Sequence, residues 1–454
     1  MTSLHQTIVV ELGSSRIKVG FAGESKPRRI LDDGGGFDGA SWTVGVNDGM
    51  ISTACEWSAF FNYLSAPSSA GGTADTAAVA ATTYEWEKSL YPLFSHILTS
   101  ILFIQRPSRH RMLVLVNDAF PPRCFREALH KVLLDYLGVG GVWFANGGVF
   151  ESLPYLLDGL TTPTPSPTGV GRPRVHLLVD IGTYEARVKV CVEGCSSLGD
   201  THQSTMSGYR SFLRQVMANY QELNDKEDAS EQSAEEAQSE TAVSTLEDAN
   251  AIVQTWLSSP KSVSPDSTTI SVNLPSQQIQ PSDVTELPIY PLLQAFHQVY
   301  LDYANPSSLI YSMLTSIMTC PIDYRKGALQ NVLLLGGGSV ALRHFGSFEG
   351  LSATGNSESG LGLQLELAAR KSCGAIATET TETTKEGKEE EKKEDGISSI
   401  SRHRFLSLSG AVFGNGNDRG IHIRYPDPFA ADMAAWMGGS IVGTLGYKNY
   451  QKKM

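Results

Sequence analysis

No run of 18 or more consecutive apolar residues occurs in the 454-residue chain, so no segment is expected to cross a membrane as a helix. The opening MTSLHQTIVVELG has no basic stretch followed by a long apolar one, and no signal peptide is expected there. Cysteine is scarce, with six residues at Cys55, Cys124, Cys191, Cys195, Cys320 and Cys373. Only Cys191 and Cys195 lie close together, and no second Cys or His pair follows at zinc spacing. Thiols in a cytosolic or nuclear protein are expected, rather than a metal centre. The histidines are scattered without His-x-x-x-His pairing, and Ser14 and Ser15 sit in no Gly-x-Ser-x-Gly setting, so neither zinc nor acyl-enzyme chemistry is supported.

Basic charge is also short, at 36 Lys+Arg against 48 Asp+Glu, a net charge of −12. The deficit is local. Residues 221–250 hold ten acids and one base, Lys226, and residues 379–395 hold eight acids and four lysines. Outside these tracts the chain is close to neutral. It offers no basic footprint for nucleic acid, and the tracts would repel a phosphate backbone. The 222–250 tract is either a solvated insertion or a docking segment for a basic partner.

What is present is ample apolar material, 41% of the residues, enough for a substantial core in two to three domains of about 150 residues each. Thr7–Glu11, Met112–Asn117, Val175–Asp180 and Val332–Leu335 are short apolar runs ending in turns or loops, as buried strands do. Helical spacing alternates with them. It places Phe94, Ile97, Leu98 and Ile101 on one face after Pro92, and Phe125, Leu129, Val132, Leu133, Tyr136 and Leu137 on another after Pro121-Pro122. Met437, Ile441 and Leu445 form a third stripe. This alternation predicts an α/β protein. Residues 66–83, 161–173, 222–250, 258–284, 352–360 and 375–400 are small, polar, acidic or Pro/Ser-rich and are expected to be loops or disordered insertions. A short helix is expected within them at Ala249–Leu257.

Three turns carry candidate chemistry. Glu11-Leu12-Gly13-Ser14-Ser15 closes a strand with an acid, a glycine and two hydroxyls, and Lys18 follows. Asp180-Ile181-Gly182-Thr183 repeats the arrangement, which suggests a weak internal duplication of residues 7–15 at 175–184. Gly336-Gly337-Gly338-Ser339 follows the third apolar strand. Glycine lets backbone N–H groups approach an anion, hydroxyls and Lys18 add donors, and facing turns would clamp a polyphosphate. Glu11 and Asp180 would then flank a divalent cation through waters, the habit of magnesium.

Four segments resemble the actin family. They are GSSRIKVGFAGESKPR (13–28), PPRCFREALHKVLLDYLGV (121–139), CPIDYRKGALQNVLLLGGGS (320–339) and AWMGGSIVGTL (435–445), in the family's order. The resemblance implies the actin/Hsp70/sugar-kinase fold, with two lobes around a nucleotide cleft. Residues 1–160 would form the first lobe, 161–173 a linker, 174–345 the second lobe and 346–400 a loop, with 401–454 returning to the first. It implies ATP or ADP with Mg as cofactor, and a partner surface along the helix of Trp436, Met437, Ile441 and Leu445. Plain core packing is the alternative for that stripe.

The departures from actin are specific. The loop where actin carries its water-positioning glutamine reads Asn146-Gly147-Gly148, with Gly147 at the glutamine's place. Thr183 replaces an acid in the second turn, Tyr184 a glycine, and Glu11 an aspartate. Hydrolysis is therefore expected to be impaired or absent, since positioning is a large part of phosphoryl transfer. Residues 30–83 show no recognisable second subdomain, while the barbed-face stripe survives. That combination points to a structural, non-enzymatic subunit in the cytoplasm and cytoskeleton. Its implied partners are the actin-like filament subunits of dynactin and the pointed-end dynactin subunits, with no nucleic acid and no membrane insertion. A nuclear actin-related subunit of a chromatin remodeller is the alternative, and a phosphotransferase of the wider fold is disfavoured because no aspartate-base motif is found.

Overall fold

The computed structural model describes residues 6–13, 16–32, 42–46, 49–53, 76–116, 123–146, 175–192, 203–230, 243–258, 269–277, 284–343, 345, 360–382, 405–413, 420–425 and 430–444. The chain divides into two compact units, Met1–Thr162 with Met433–Met454, and Pro163–Asp432.

The first unit is built on a five-stranded sheet of order β3-β2-β1-β6-β7. Strands β1 (Thr7–Leu12), β2 (Arg16–Phe21) and β3 (Arg29–Asp32) form an antiparallel meander. A separate hairpin joins β4 (Trp42–Val46) to β5 (Gly49–Thr53). Helix α1 (Thr76–His96) then leads to β6 (Arg111–Val116), and α2 (Arg123–Lys131) to β7 (Gly141–Asn146); β6 and β7 add in parallel beside β1.

Strand alternation decides which layer each side chain joins. Ile8, Val10, Met112 and Val114 face Leu90, Phe94, Phe125 and Leu129 of α1 and α2 in one core. Val9, Leu113 and Leu115 face the other way, toward Trp436 and Val442 of the C-terminal helix Ala434–Thr444. That helix lies tight on the sheet because its glycines allow it. A Cβ on Gly439 would stand 2.6 Å from Leu115 Cδ1, and one on Gly443 2.7 Å from Ala22 Cβ. Ser440 locks the contact, its Oγ accepting from the Gly23 N–H at 3.0 Å and donating to the Glu24 carbonyl at 2.8 Å.

The second unit repeats this topology in a sheet of order β10-β9-β8-β13-β14. Strands β8 (Val175–Ile181), β9 (Ala186–Val192) and β10 (Gln203–Thr205) form the meander. Helices α3 (Tyr209–Ser230) and α4 (Leu246–Ser258) follow, and then the hairpin β11 (Thr269–Val272) and β12 (Thr285–Pro288). Helices α5 (Tyr290–Phe296), α6 (Leu309–Thr319) and α7 (Ile322–Gln330) lead to β13 (Val332–Leu335), which pairs in parallel with β8. Short α8 (Gly336–Ala341), long α9 (Leu361–Glu382) and α10 (Ser409–Phe413) precede β14 (Ile423–Arg424). Phe212 meets Phe296, Tyr300 and Phe345 in a buried aromatic cluster, with Phe296 stacked on Phe345 at 4.1 Å.

The α/β class and all four apolar strands stand as expected, and the duplication extends well beyond the two turns to the order of both five-stranded sheets. Six expectations are corrected. Residues 76–83 are helical rather than loop, since TAAVAATT is rich in the best helix former. Pro92 lies inside α1 instead of preceding a helix; burial of Leu90, Leu93 and Phe94 holds the helix through it. The acidic tract is helical at 222–230, and the helix expected at Ala249–Leu257 is present but begins earlier, at Leu246; the Ser/Pro-rich stretch contributes β11. The start of 375–400 continues α9 to Glu382. The chain rejoins the first unit at Met433 rather than at residue 401, because Ile423–Arg424 pairs with β13 of the second sheet. The linker at 161–173 and the Glu/Lys-rich run from residue 383 lie outside the described residues.

Candidate functional site

The β1–β2 and β8–β9 hairpins are two copies of one device. In the first, Gly13 N–H donates to the Arg16 carbonyl at 3.0 Å and Glu11 stands directly opposite Lys18. In the second, Gly182 N–H donates to the Glu185 carbonyl at 2.9 Å and Asp180 stands directly opposite Arg187. Each acid lies two residues before the turn glycine and faces a base seven residues later. Such cross-strand neighbours share a face and reach one another.

Lys18 Nζ donates to Glu11 Oε1 at 2.6 Å, and both side chains are largely buried. Glu11 Oε2 is buried with no hydrogen-bond partner. Gly13 cannot be replaced without moving the turn, because a Cβ would sit 2.6 Å from the Arg16 carbonyl oxygen. Ser14 and Ser15 lie outside the described residues. Beyond β2 the chain is fixed by Glu24, whose carboxylate accepts from the Phe21 N–H at 2.8 Å and from Arg28 Nε at 2.7 Å, while Arg28 covers the Phe21 ring.

In the second unit the Asp180 and glycine-rich turns come together. Gly336 has a φ of +86°, a conformation that suits glycine, and any side chain there would collide with the Asp180 carboxylate and the Ile181 carbonyl. Gly338 packs as closely, a Cβ lying 2.7 Å from Ile181 Cγ2 and 3.1 Å from the Gly182 carbonyl oxygen. Gly337 has open space around it and is exposed. The turn is also tied to α3, for the Tyr209 N–H donates to the Gly182 carbonyl at 3.0 Å and the Arg210 N–H to the Thr183 carbonyl at 2.7 Å. Two orphan donors at the start of that helix are satisfied by the turn itself.

Sequence reasoning missed two bases here. Arg187 Nη2 donates to Asp180 Oδ2, and Glu185 Oε1 lies 3.8 Å from Arg187 Nε. Arg210, buried beside Tyr184, donates from Nη1 to the tyrosine hydroxyl, and its guanidinium stands 5.2 Å from the ring centroid. The available signal for Arg187 was its place seven residues after Asp180, as Lys18 stands after Glu11.

The carboxylates expected to flank a cation are therefore not equivalent. Glu11 keeps a buried, unpartnered oxygen that a polar group or water could meet. Asp180 has one oxygen committed to a guanidinium that keeps its proton at any ordinary pH. Among the described residues no group of three or more His, Cys, Asp or Glu is arranged to hold a metal ion. In the second turn Arg187 engages the carboxylate expected to hold a magnesium ion through water.

Of the expected partner stripe, Trp436 is corrected. It is fully buried against Val9, Leu113, Leu115 and Ala145, so the ring is core and cannot itself meet another protein. Met437 is half-buried against the same cluster, Ile441 is half-buried, and Leu445 lies outside the described residues, as does Gly147. Cys320 and Cys373 are buried thiols, which burial pushes up to about 11 and about 12 respectively.

Duplicated five-stranded α/β sheets, each carrying an acid–glycine hairpin, define a protein of a two-unit α/β class. The family model for actin matches residues 3–346, and the chain belongs to the actin family. No individual curated protein matches it.

Proposed function

We propose that this chain is a structural actin-related subunit that holds ATP or ADP without turning it over and caps the pointed end of the actin-like filament of dynactin, in support of dynein-driven transport. Its segments FREAL (125–129) and CPIDYRK (320–326) are similar to those of actin-related protein 10. The observation that carries the reading is Tyr184. The family's glycine at that place lets backbone approach phosphate, whereas here a buried aromatic is hydrogen-bonded to Arg210 and held on the turn. With Gly147 in place of the water-positioning glutamine, the hydrolytic step lacks its usual support. The C-terminal helix remains docked on the first sheet, which favours a conventional barbed face. Residues 30–83 lack the family's usual sequence, which favours an altered pointed face. A filament of heterologous contacts grows without limit until a subunit with one unmatched face ends it.

The test is nucleotide content together with phosphate release by the purified full-length protein. Bound ATP or ADP with negligible phosphate release supports the reading, whereas turnover comparable with filamentous actin overturns it. A chromatin-remodelling subunit is the outcome to be separated by partners, as described at the end of the Discussion.

A further inference from the structure

We infer that Arg187 takes the place of the divalent cation at the second phosphate turn, so that this chain binds ATP without needing magnesium. The inference rests on the reading of the site as nucleotide-binding and concerns only how its charge is balanced.

Asp180 is the penultimate residue of β8, just before the turn, the position from which a carboxylate would hold the waters of a magnesium ion. Arg187 stands opposite it in the ladder and donates Nη2 to Oδ2. The contact is built rather than casual. The side chains are 16% and 9% exposed, so the pair is mostly desolvated and Arg187 keeps a small exposed fraction. The other carboxylate oxygen, Oδ1, is hemmed in by Gly336.

A metal ion bound through Asp180 would have to displace a fixed positive charge or sit beside it. The guanidinium offers no neutral form through which to yield. Lys189, buried and two residues farther along β9, points to the same face of the sheet as Arg187. With Arg210 beside Tyr184, β9 and the start of α3 together hold three bases against Asp180 and Glu185. Such a balance suits an anion that arrives without its own cation. Guanidinium groups bind phosphate oxygens in a bidentate fork, supplying the charge and direction that magnesium otherwise brings.

The test is ATP binding to the full-length protein, followed by a fluorescent ATP analogue in magnesium and in EDTA. The wild type should show affinities within about threefold of each other in the two buffers. Arg187→Met, which keeps length and removes charge, should lose about tenfold or more in EDTA and regain it in magnesium. Arg187→Lys should remain indifferent to magnesium, and it keeps the question decidable if the methionine variant fails to fold. Release of ATP from the wild type in EDTA overturns the inference and leaves nucleotide binding intact. An Arg187→Met protein still indifferent to magnesium overturns the role of Arg187. Absence of binding in both buffers overturns the inference together with the functional reading beneath it.

Discussion

Phe103 occupies after α1 the backbone position that Gly138 occupies after α2. Both helices end in a π turn, Ile97–Ile101 and Val132–Tyr136. In both, the chain leaves through a left-handed residue, with φ of +54° at Phe103 and +66° at Gly138. The closing bonds match as well, Leu102 N–H to Ile97 O at 3.0 Å and Leu137 N–H to Val132 O at 3.0 Å. Glycine adopts this conformation freely and phenylalanine does not.

Phe103→Gly should therefore stabilise the protein. The ring is 79% exposed, so little packing is lost. Relief of the left-handed strain, about 1–2 kcal/mol, should exceed the added chain entropy of glycine and leave a net gain of about 0.5–1 kcal/mol. The denaturation midpoint of the full-length variant checks it, and a lowered midpoint would show that the ring packs in a way its exposure does not reveal.

A second prediction concerns Asp248 at the start of α4. Its Oδ2 accepts from the Thr245 N–H at 3.0 Å, Thr245 Oγ1 accepts from the Asp248 N–H at 3.1 Å, and Oδ1 accepts from the Ser276 N–H at 2.9 Å. This reciprocal cap also ties the helix to the segment after β11. Burial pushes the carboxyl up, but the hydrogen bonds from Ser276 and Thr245 outweigh it and hold the group below its ordinary value of 3.8. A depressed folded value means that the stabilisation is present above that pH and is lost as pH falls through the folded value. Asp248→Ala should cost about 1–3 kcal/mol at neutral pH, with the difference from wild type shrinking as the solution is acidified below about 4. Urea unfolding at neutral and acid pH measures both, and a pH-independent difference would contradict the assignment.

The strands were legible because each turn is written in glycine and acid next to a β-branched or leucine run. Thr7–Leu12, Val175–Ile181 and Val332–Leu335 emerge within a residue of expectation. What hid the helical part of the acidic tract was composition, since Glu222, Asp225 and Glu227 resemble a solvated insertion until Tyr209, Phe212, Val216 and Tyr220 are seen to bury the preceding turns of the same helix. Thr245-x-x-Asp248 was a readable cap that marked the next helix. Arg187 was hidden because pairing register is a tertiary fact; only the analogy of Glu11 with Lys18 would have exposed it. Trp436 was assigned to a partner surface, yet its ring fills the space that Gly20 leaves open on β2.

That last fit gives a third prediction. A Cβ on Gly20 would stand 2.8 Å from Trp436 Cζ2 and 3.2 Å from the Arg28 backbone nitrogen, neither of which can yield easily. A Cβ on Gly439 meets Leu115 Cδ1, the free end of a side chain. Gly20→Ala should cost about 1–3 kcal/mol and Gly439→Ala less. Unfolding midpoints of the two variants, followed by tryptophan fluorescence, check the order. Equal losses would mean that the C-terminal helix shifts as a body.

The most direct test of the filament-end reading is mass spectrometry of proteins that co-purify with the tagged chain at native expression, run beside Ile441→Asp. Ile441 is the residue to change because Trp436 and Met437 pack on the core, so their loss would confound folding with assembly. The account predicts that dynactin filament and pointed-end subunits accompany the wild type and that Ile441→Asp loses the filament subunits while the protein stays folded. Recovery of remodeller ATPases and nuclear actin-related proteins in their place would contradict it, and so would undiminished filament association of the variant.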